Sequence, residues 1–570
     1  MQPYRRLTLA TLLATALAGC VGLPKPAPAI AIGSVQGGGA HSPLLGREVV
    51  VEGSITADFR AGLGVMSLEG DADGDPATSD ALFLVGAPDA LQMDDRVRVR
   101  GTVIERDTGR GGSITALEVA EVRQLPAAPL PAAQVLQSLP RSDAEWEALE
   151  AMRVSMSPQL TLVASHNAAR FGEWQVALEG PAWTPTEIAL PGQAANRLAA
   201  ANDARMLLLD DGDARENSGG VMSRDIPRTG SVLPGVSGIV DERLGRYRLQ
   251  LAAVPVVEAA SRPAAPPRMG EVRIAAMNLE NLFNGDGRGG GFPTARGAKT
   301  QAAYLHQRAK LVMALAALDA DVVALMELEN DEAGAASSEA QLIDALNAVQ
   351  GGDWRAVPMP ANASTDAIRV GIVYRASKVR AVGVAATLDI GPFRDMSRPP
   401  LLQGFRVGDG PLFHVVANHF KSKGCRDAKG ADADMKDGQS CWNATRLESA
   451  KLLDGWLHRE VGANASVIVL GDLNAYAMED PPRWLREAGW RDAFSEAGIA
   501  QPYSYVYDGQ RGRLDHALLS PALAPRLQGA AEWHINADEP DVAEPAGAQV
   551  TPYRSSDHDP LVIDLRLRTR

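Results

Sequence analysis

Several apolar runs in the second half of this sequence end in polar residues that packing alone would not require. Val323-Ala324-Leu325-Met326 runs into Glu327, Val415-Val416-Ala417 into Asn418 and His419, and Ile468-Val469-Leu470-Gly471 into Asp472 and Asn474. Further on, Arg513-Leu514-Asp515-His516 and Ser556-Asp557-His558-Asp559 each precede an apolar stretch. Short apolar runs bounded in this way read as buried strands. A carboxylate at the end of such a strand loses hydration and needs a metal ion or a bonded partner to offset the loss. Carboxylate, carboxamide and imidazole are also the groups of hydrolytic chemistry, able to hold a hard cation and to move a proton.

Six segments, Met277-Asn278-Leu279-Glu280-Asn281, Leu325-Met326-Glu327, Asn418-His419, Gly471-Asp472-Leu473-Asn474, Arg513-Leu514-Asp515 and Ser556-Asp557-His558, resemble the motifs of the endonuclease/exonuclease/phosphatase superfamily. They occur in the family's order over about residues 271 to 567. The resemblance implies a DNase I-like four-layer α/β sandwich and hydrolysis of a phosphodiester. A diester is anionic and repels nucleophiles, so a cation must neutralise it. Mg²⁺ or Mn²⁺ is expected, with Ca²⁺ as a candidate structural ion. Glu327 is the expected carboxylate ligand, with Asn278 and Asp557 completing or bordering the metal site. His558 is read as the general base, held by Asp515 through its other ring nitrogen. Asp472 and Asn474 would orient water and a phosphate oxygen, and in another reading of the family Asp472 is itself the base.

His419 would donate to a phosphate oxygen or to the leaving group; taken alone it reads as a satisfied strand-end histidine. Lys421 and Lys423 alternate on an extended segment, so both could face phosphates or simply lie in solvent. His516 and Asp559 read as structural. Arg446 either faces the site or solvates its helix. Asn418 to Cys425, the downstream Cys441 and two β-rich blocks ahead of the catalytic region are similar to large bacterial extracellular nucleases of the ExeM/NucH type. That likeness implies DNA as substrate, with RNA as a second candidate. A sphingomyelinase-like lipid phosphodiesterase would need an exposed aromatic hairpin, and no such run is present. The Trp-Cys-Asp-Arg pattern of inositol-phosphate phosphatases is missing around Asp515. A non-catalytic nucleic-acid-binding protein would be expected to have lost one of Glu327, Asp472, Asn474, Asp515 and His558.

The elements that must position these residues follow from the rest of the chain. A length of 570 residues calls for two to four domains. Hydrophobic residues at 45% and charged ones at 22% specify folded rather than disordered chain. A net charge of −14 excludes binding of nucleic acid by bulk charge and leaves only a locally basic groove. Residues 34–125 read as an all-β, OB-like barrel, in which Arg96, Arg98 and Arg100 share one outer face, as a phosphate grip or as a solvated stripe. Asp71, Asp73 and Asp75 read as a turn, since Leu82 stands where a calcium loop needs glutamate. Residues 134–258 read as a second β-rich domain, 259–270 as a Pro/Ala linker and 271–567 as the catalytic domain. The two β blocks are expected to be separable, so that removing residues 30 to 260 spares hydrolysis of short substrates.

Residues 1–20 read as an export signal, with Arg5 and Arg6 before an apolar stretch too short to span a bilayer. Leu17-Ala18-Gly19-Cys20 resembles a lipobox, which would acylate Cys20 ahead of a tether at 21–33; ordinary signal cleavage near Ala29 is the alternative. Either reading places the mature chain outside the cytoplasm, touching a membrane only through a lipid at Cys20. In that compartment Cys425 and Cys441 are expected to close a polar surface loop as a disulfide.

Overall fold

The computed structural model describes residues 28–362, 364–542 and 549–568. The signal-like segment and Cys20 lie outside the described residues. No helix among those residues is long and apolar enough to cross a membrane.

The first block is a closed five-stranded barrel of Glu48–Asp58, Val65–Glu69, Ala81–Val85, Arg96–Gly109 and Gly112–Gln124, in the order first, second, third, fifth, fourth. The period of two in the fourth strand sends Val97 and Val99 into its core. The arginines on the opposite face are ion-paired, Arg96 with Asp71, Arg98 with Glu52 and Arg100 with Glu48 and Glu121. The stripe is therefore an ion-paired strand face, as the solvated reading expects. Asp73 and Asp75 accept backbone N–H groups from within their own loop, which is the chemistry of a turn.

The middle block is built on an eight-stranded sheet running from Gln134–Leu136 to Arg246–Gln250 around Trp174, Val176, Leu207 and Leu249. The third block has two six-stranded sheets packed face to face through Ile274, Val322, Met326, Phe405, Phe413, Ile468 and Ile563. One sheet has the order Trp354–Ala356, Ile368–Arg375, Val322–Glu329, Val272–Leu282, Leu561–Leu565, Leu527–Glu532. The other runs Arg380–Thr387, Arg398–Arg406, Phe413–His419, Val467–Asp472, Asp515–Leu519, Arg491–Asp492. The helix Gln301–Leu318 covers the outer face of the first through Leu311 and Leu315, and Asn443–Glu460 covers the second through Leu453 and Trp456.

Several elements extend beyond their sequence signals. The strands beginning at Val272, Val322, Phe413 and Val467 continue through Asn278, Glu327, His419 and Asp472; pairing persists at Asn278, His419 and Asp472, and the register shifts at Glu327. The helix over the second sheet begins at Asn443. Thr445 is already helical, and Asp432 accepts its N–H at 2.9 Å.

The middle block is not a separable appendage. Its strand Ala182–Trp183 leaves the eight-stranded sheet and pairs in parallel with Gln510–Gly512, itself half of a hairpin with Tyr505–Tyr507 of the third block. Farther along, Arg228 and Thr229 bond Asp538, and Arg262 bonds Glu539. These pairings join residues hundreds of positions apart, which local patterning does not reveal.

Where the barrel meets the middle sheet, Glu69 is 2% exposed, with its carboxylate 3.5 Å from the Arg153 N–H. That weak contact does not repay the lost hydration, and burial pushes the carboxyl up to about 7 from an ordinary 4.5. In this window the folded state keeps a proton that the unfolded state releases, so the contribution is full below the lower value and lost as pH rises through the upper. Chemical denaturation should therefore show lower stability at about pH 8 than at about pH 5, and Glu69→Gln should flatten that slope. A variant with the slope of the parent would remove Glu69 from the account.

Candidate active site

Parallel pairing brings strand ends to the same edge of a sheet. Val272–Leu282 pairs in parallel with Val322–Glu329, and Phe413–His419 with Val467–Asp472. The antiparallel strand Asp515–Leu519 begins where Val467–Asp472 ends, so His419, Asp472 and Asp515 stand in one cross-strand row. Gly471 lets the two sheets close there. A Cβ at this position would lie 2.3 Å from the Asn418 carbonyl and 3.1 Å from the Met326 sulfur, and its φ of +123° is unfavourable for any other residue. Glu327 and Asn474 both have left-handed backbone, at φ 64° and 47°. For glutamate that conformation costs about 1 kcal/mol.

Within the row every buried charge has a partner. His558 Nδ1 and Asp515 Oδ2 are 2.6 Å apart, and the same oxygen accepts the Ser504 hydroxyl at 2.7 Å. The ring of Tyr505 lies 4.7 Å from that of His558. Asp472 accepts the Asn474 backbone N–H at 2.7 Å and its amide at 3.1 Å, while that amide also reaches the Phe420 carbonyl at 3.2 Å. His419 Nε2 lies 3.4 Å from Asp472 and 3.9 Å from Glu327, and its Nδ1 is buried without a hydrogen-bond partner.

The proton affinities separate accordingly. Burial alone would depress the His558 imidazolium, but Asp515 and Asp557 outweigh it and hold the ring well above its ordinary value. His419 is driven the other way, by burial and by Arg398, and is neutral. Burial pushes the Asp472 carboxyl up, with His558 opposing. The surroundings thus raise the proton affinity of one histidine and lower that of the other, two groups suited to opposite ends of a proton transfer.

These residues surround an open cleft of about 520 Å³ whose lining includes Glu327, His419, Asp472, Asn474, His558 and Lys421. Arg296, Arg398 and Asp366 complete the wall and were not singled out from sequence. Arg398 lies within 3.2 Å of Asp366 and donates to the Phe420 carbonyl at 3.0 Å; Arg296 lies 3.4 Å from the other oxygen of Asp366. Neither arginine adjoins a motif, so no local signal marks it. Lys421 lies in the cleft with its ammonium 5.0 Å above the Trp442 ring.

Lys423 does not join it there. Its ammonium bonds both oxygens of Glu479 at 2.6 Å and, at 2.9 Å, the carbonyl of Gln439, a residue of the loop closed by the Cys425–Cys441 disulfide. Alternation placed the two lysines on one face, but the chain turns after Ser422 into the bridged loop. Arg446 follows neither expectation: it is fully buried and donates to the Cys441 and Gln439 carbonyls. His516 and Asp559 take structural partners, the Ala475 carbonyl at 2.8 Å and His534 at 2.9 Å.

Asn278 is buried at the end of its strand, with Nδ2 unpartnered and Oδ1 accepting the Glu280 N–H. Glu327 accepts the Asn281 N–H at 2.9 Å, and its carboxyl is raised by burial and then by the negative charge of Asp557. Glu280, also raised by burial and by Asp557, is clamped by Arg554 at 2.7 Å. Among the described residues no three His, Cys, Asp or Glu side chains converge as a metal cluster. The available donors are two acids that repel one another and a carboxamide. That set fits Mg²⁺ or Mn²⁺, which take one or two carboxylates and keep several waters, and does not fit zinc.

A two-sheet α/β sandwich carrying a histidine–carboxylate pair beside an acid–amide set is the apparatus of a phosphate-ester hydrolase. Residues 281–558 match the model of the Endonuclease/Exonuclease/phosphatase family, and this part of the chain is a domain of that family. Its members are typically hydrolases of phosphodiesters or phosphate monoesters and generally use divalent metals such as Mg²⁺. Asn278 lies just ahead of the matched segment. No curated protein matches the chain.

Similar solved structures include an endonuclease/exonuclease/phosphatase family protein of Bacteroides thetaiotaomicron, with 17% identity, 51% of this chain and 96% of that one covered, and a TM-score of 0.36. TDP2 of D. rerio, complexed with single-strand DNA product, gives 17%, 51%, 97% and 0.34. A mannosyl-6-phosphatase of Bacteroides thetaiotaomicron VPI-5482 gives 18%, 52%, 99% and 0.35.

The two lysines should separate in kinetics. Lys421→Ala is expected to raise KM for a phosphate-ester substrate about tenfold, the loss of one charge-assisted contact. Lys423→Ala should leave KM near the parent value and lower stability by about 3 kcal/mol, because Glu479 stays buried without its partner. The reverse pattern, read from steady-state kinetics and denaturant melts, would return Lys423 to the substrate.

Proposed function

We propose that this chain is an exported, divalent-metal-dependent phosphodiesterase that hydrolyses nucleic acid, DNA first and RNA second, in the manner of a large extracellular nuclease. The observation that carries the reading is the pairing of His558 with Asp515 at 2.6 Å, facing a cleft that also holds Glu327, Asp472 and Asn474. Asp515 engages Nδ1 of His558; in the neutral ring Nε2 is free to take a proton from water, and Asp515 and Asp557 favour the imidazolium that results. Asp472 and Asn474 hold one another and orient the incoming water and a non-bridging oxygen; Asp472, with its raised proton affinity, is the alternative base. His419 donates to the phosphate or the leaving oxygen. Arg398, Arg296 and Lys421 supply local positive charge that a polyanion needs on a chain whose net charge is −14.

Glu327, Asn278 and Asp557 would hold Mg²⁺ or Mn²⁺. When bound, the cation offsets the charge of the diester and of the leaving oxygen. We read the N-terminal barrel, with its strand order, as an OB-like module that carries substrate, and Cys20 as a lipid anchor at the cell surface. Purified protein should cut plasmid DNA with Mg²⁺ and stop on addition of EDTA. His558→Ala and Glu327→Ala should each lower kcat by at least about 10²-fold. Metal-independent cleavage, or release of phosphate only from monoesters such as sugar phosphates, would reject the nuclease reading.

A further inference from the structure

Glu187 belongs to the short turn Pro185–Ile188 of the middle block, far in sequence from every motif described above. Its carboxylate is nevertheless aimed into the base of the third block. One oxygen accepts the Ala477 N–H at 3.1 Å and the Arg513 N–H at 3.0 Å, across sequence separations of 290 and 326 residues. The other oxygen faces the Arg513 guanidinium at 3.9 Å. Ala477 is three positions past Asn474, and Arg513 two positions before Asp515. We propose that Glu187 is a positioning residue for the reaction, tying the loop that follows Asp472 and carries Asn474 to the segment that leads into Asp515. The inference rests on the phosphodiesterase reading of the site.

Three observations support it. Glu187 is 7% exposed, and burial pushes its carboxyl up to about 7, so an acid is held here at a cost that packing alone does not explain. Both N–H donors are buried backbone groups with converging directions, and removing the acceptor would leave them unsatisfied. The contact also sits within a larger grip on the same loops. The Thr186 carbonyl accepts the Met478 N–H at 2.9 Å, the Thr186 hydroxyl donates to Glu479 at 2.8 Å, and the Thr184 N–H donates to the Arg511 carbonyl at 2.8 Å. Gly512 is needed for this approach, since a Cβ there would come within 2.4 Å of the Tyr476 ring and 3.1 Å of the Thr184 hydroxyl. From the opposite side His516 reaches the Ala475 carbonyl, so the two loops are clasped between a residue of their own sheet and one of another domain.

A residue that merely docks two domains would act like any other contact at their interface. Asn196 supplies the comparison: its amide donates to the Lys436 carbonyl at 3.0 Å, at the same interface but on the disulfide-bridged loop. Full-length Glu187→Ala, Glu187→Asp, Glu187→Gln and Asn196→Ala are to be compared with the parent by hydrogen exchange and by steady-state hydrolysis of bis(p-nitrophenyl) phosphate with Mg²⁺. Glu187→Ala should accelerate exchange in residues 471–478 and 512–516 and lower kcat by at least about tenfold with KM little changed. Glu187→Gln keeps one oxygen that can accept both N–H groups and should restore most of kcat. Glu187→Asp keeps the charge but withdraws the acceptor; it should loosen the same segments and decides the matter if the alanine variant does not fold. Unchanged exchange in both Glu187→Ala and Glu187→Asp, or equal loss in Asn196→Ala, would overturn the proposal. A parent protein that fails to hydrolyse any diester would instead reject the proposed function, while the exchange comparison would still judge the clasp.

Discussion

The structure turns on the cost of keeping charge at the buried ends of strands. His419, Asp472 and Asp515 form one row across three strands and each is at most 2% exposed. Charges so placed persist only if each finds a partner. The solution here is a chain of short contacts: Ser504 to Asp515, Asp515 to His558, Asn474 to Asp472. The strained backbone at Glu327 and Asn474, and the glycine at 471, follow from the same demand. The sheets must approach closely for the row to form, and the side chains must then leave the ladder to face the cleft.

The middle block enters through that demand as well. The sandwich supplies the ends of its strands, but the loops beyond them carry Asn474, Asp557 and His558 and have backbone groups of their own to satisfy. Glu187 and Thr186 satisfy several of these from outside the sandwich. A domain that would otherwise be an accessory thereby braces segments that adjoin the site residues Asn474 and Asp515. The hairpin bearing Tyr505, whose ring lies 4.7 Å from that of His558, is likewise extended by the strand Ala182–Trp183.

What the sequence made legible was local. Apolar runs ending in Glu327, His419 and Asp472 marked strands, and the order of the motifs pointed to their assembly; the residues do converge on one cleft. Arg398, Arg296 and Glu187 escaped because nothing in their neighbourhoods sets them apart, and only tertiary contact gives them meaning. Lys423 was misplaced for a related reason. Strand parity holds only while the strand continues, and the chain turns into the disulfide loop. The barrel arginines illustrate the converse, since a period of two placed them on one face but did not disclose the acids that neutralise them.

The order of strands in the first sheet has a consequence in time. Val272–Leu282, which bears Asn278, is bounded on one side by Val322–Glu329 and on the other by Leu561–Leu565. His558 lies just ahead of that last strand. The earliest strand of the sandwich therefore stays an open edge until the latest has been delivered, and the histidine arrives with it. Contacts of such long sequence separation form slowly. A growing chain holds most of the acids long before it holds His558, so the site is completed in one late step and not by degrees.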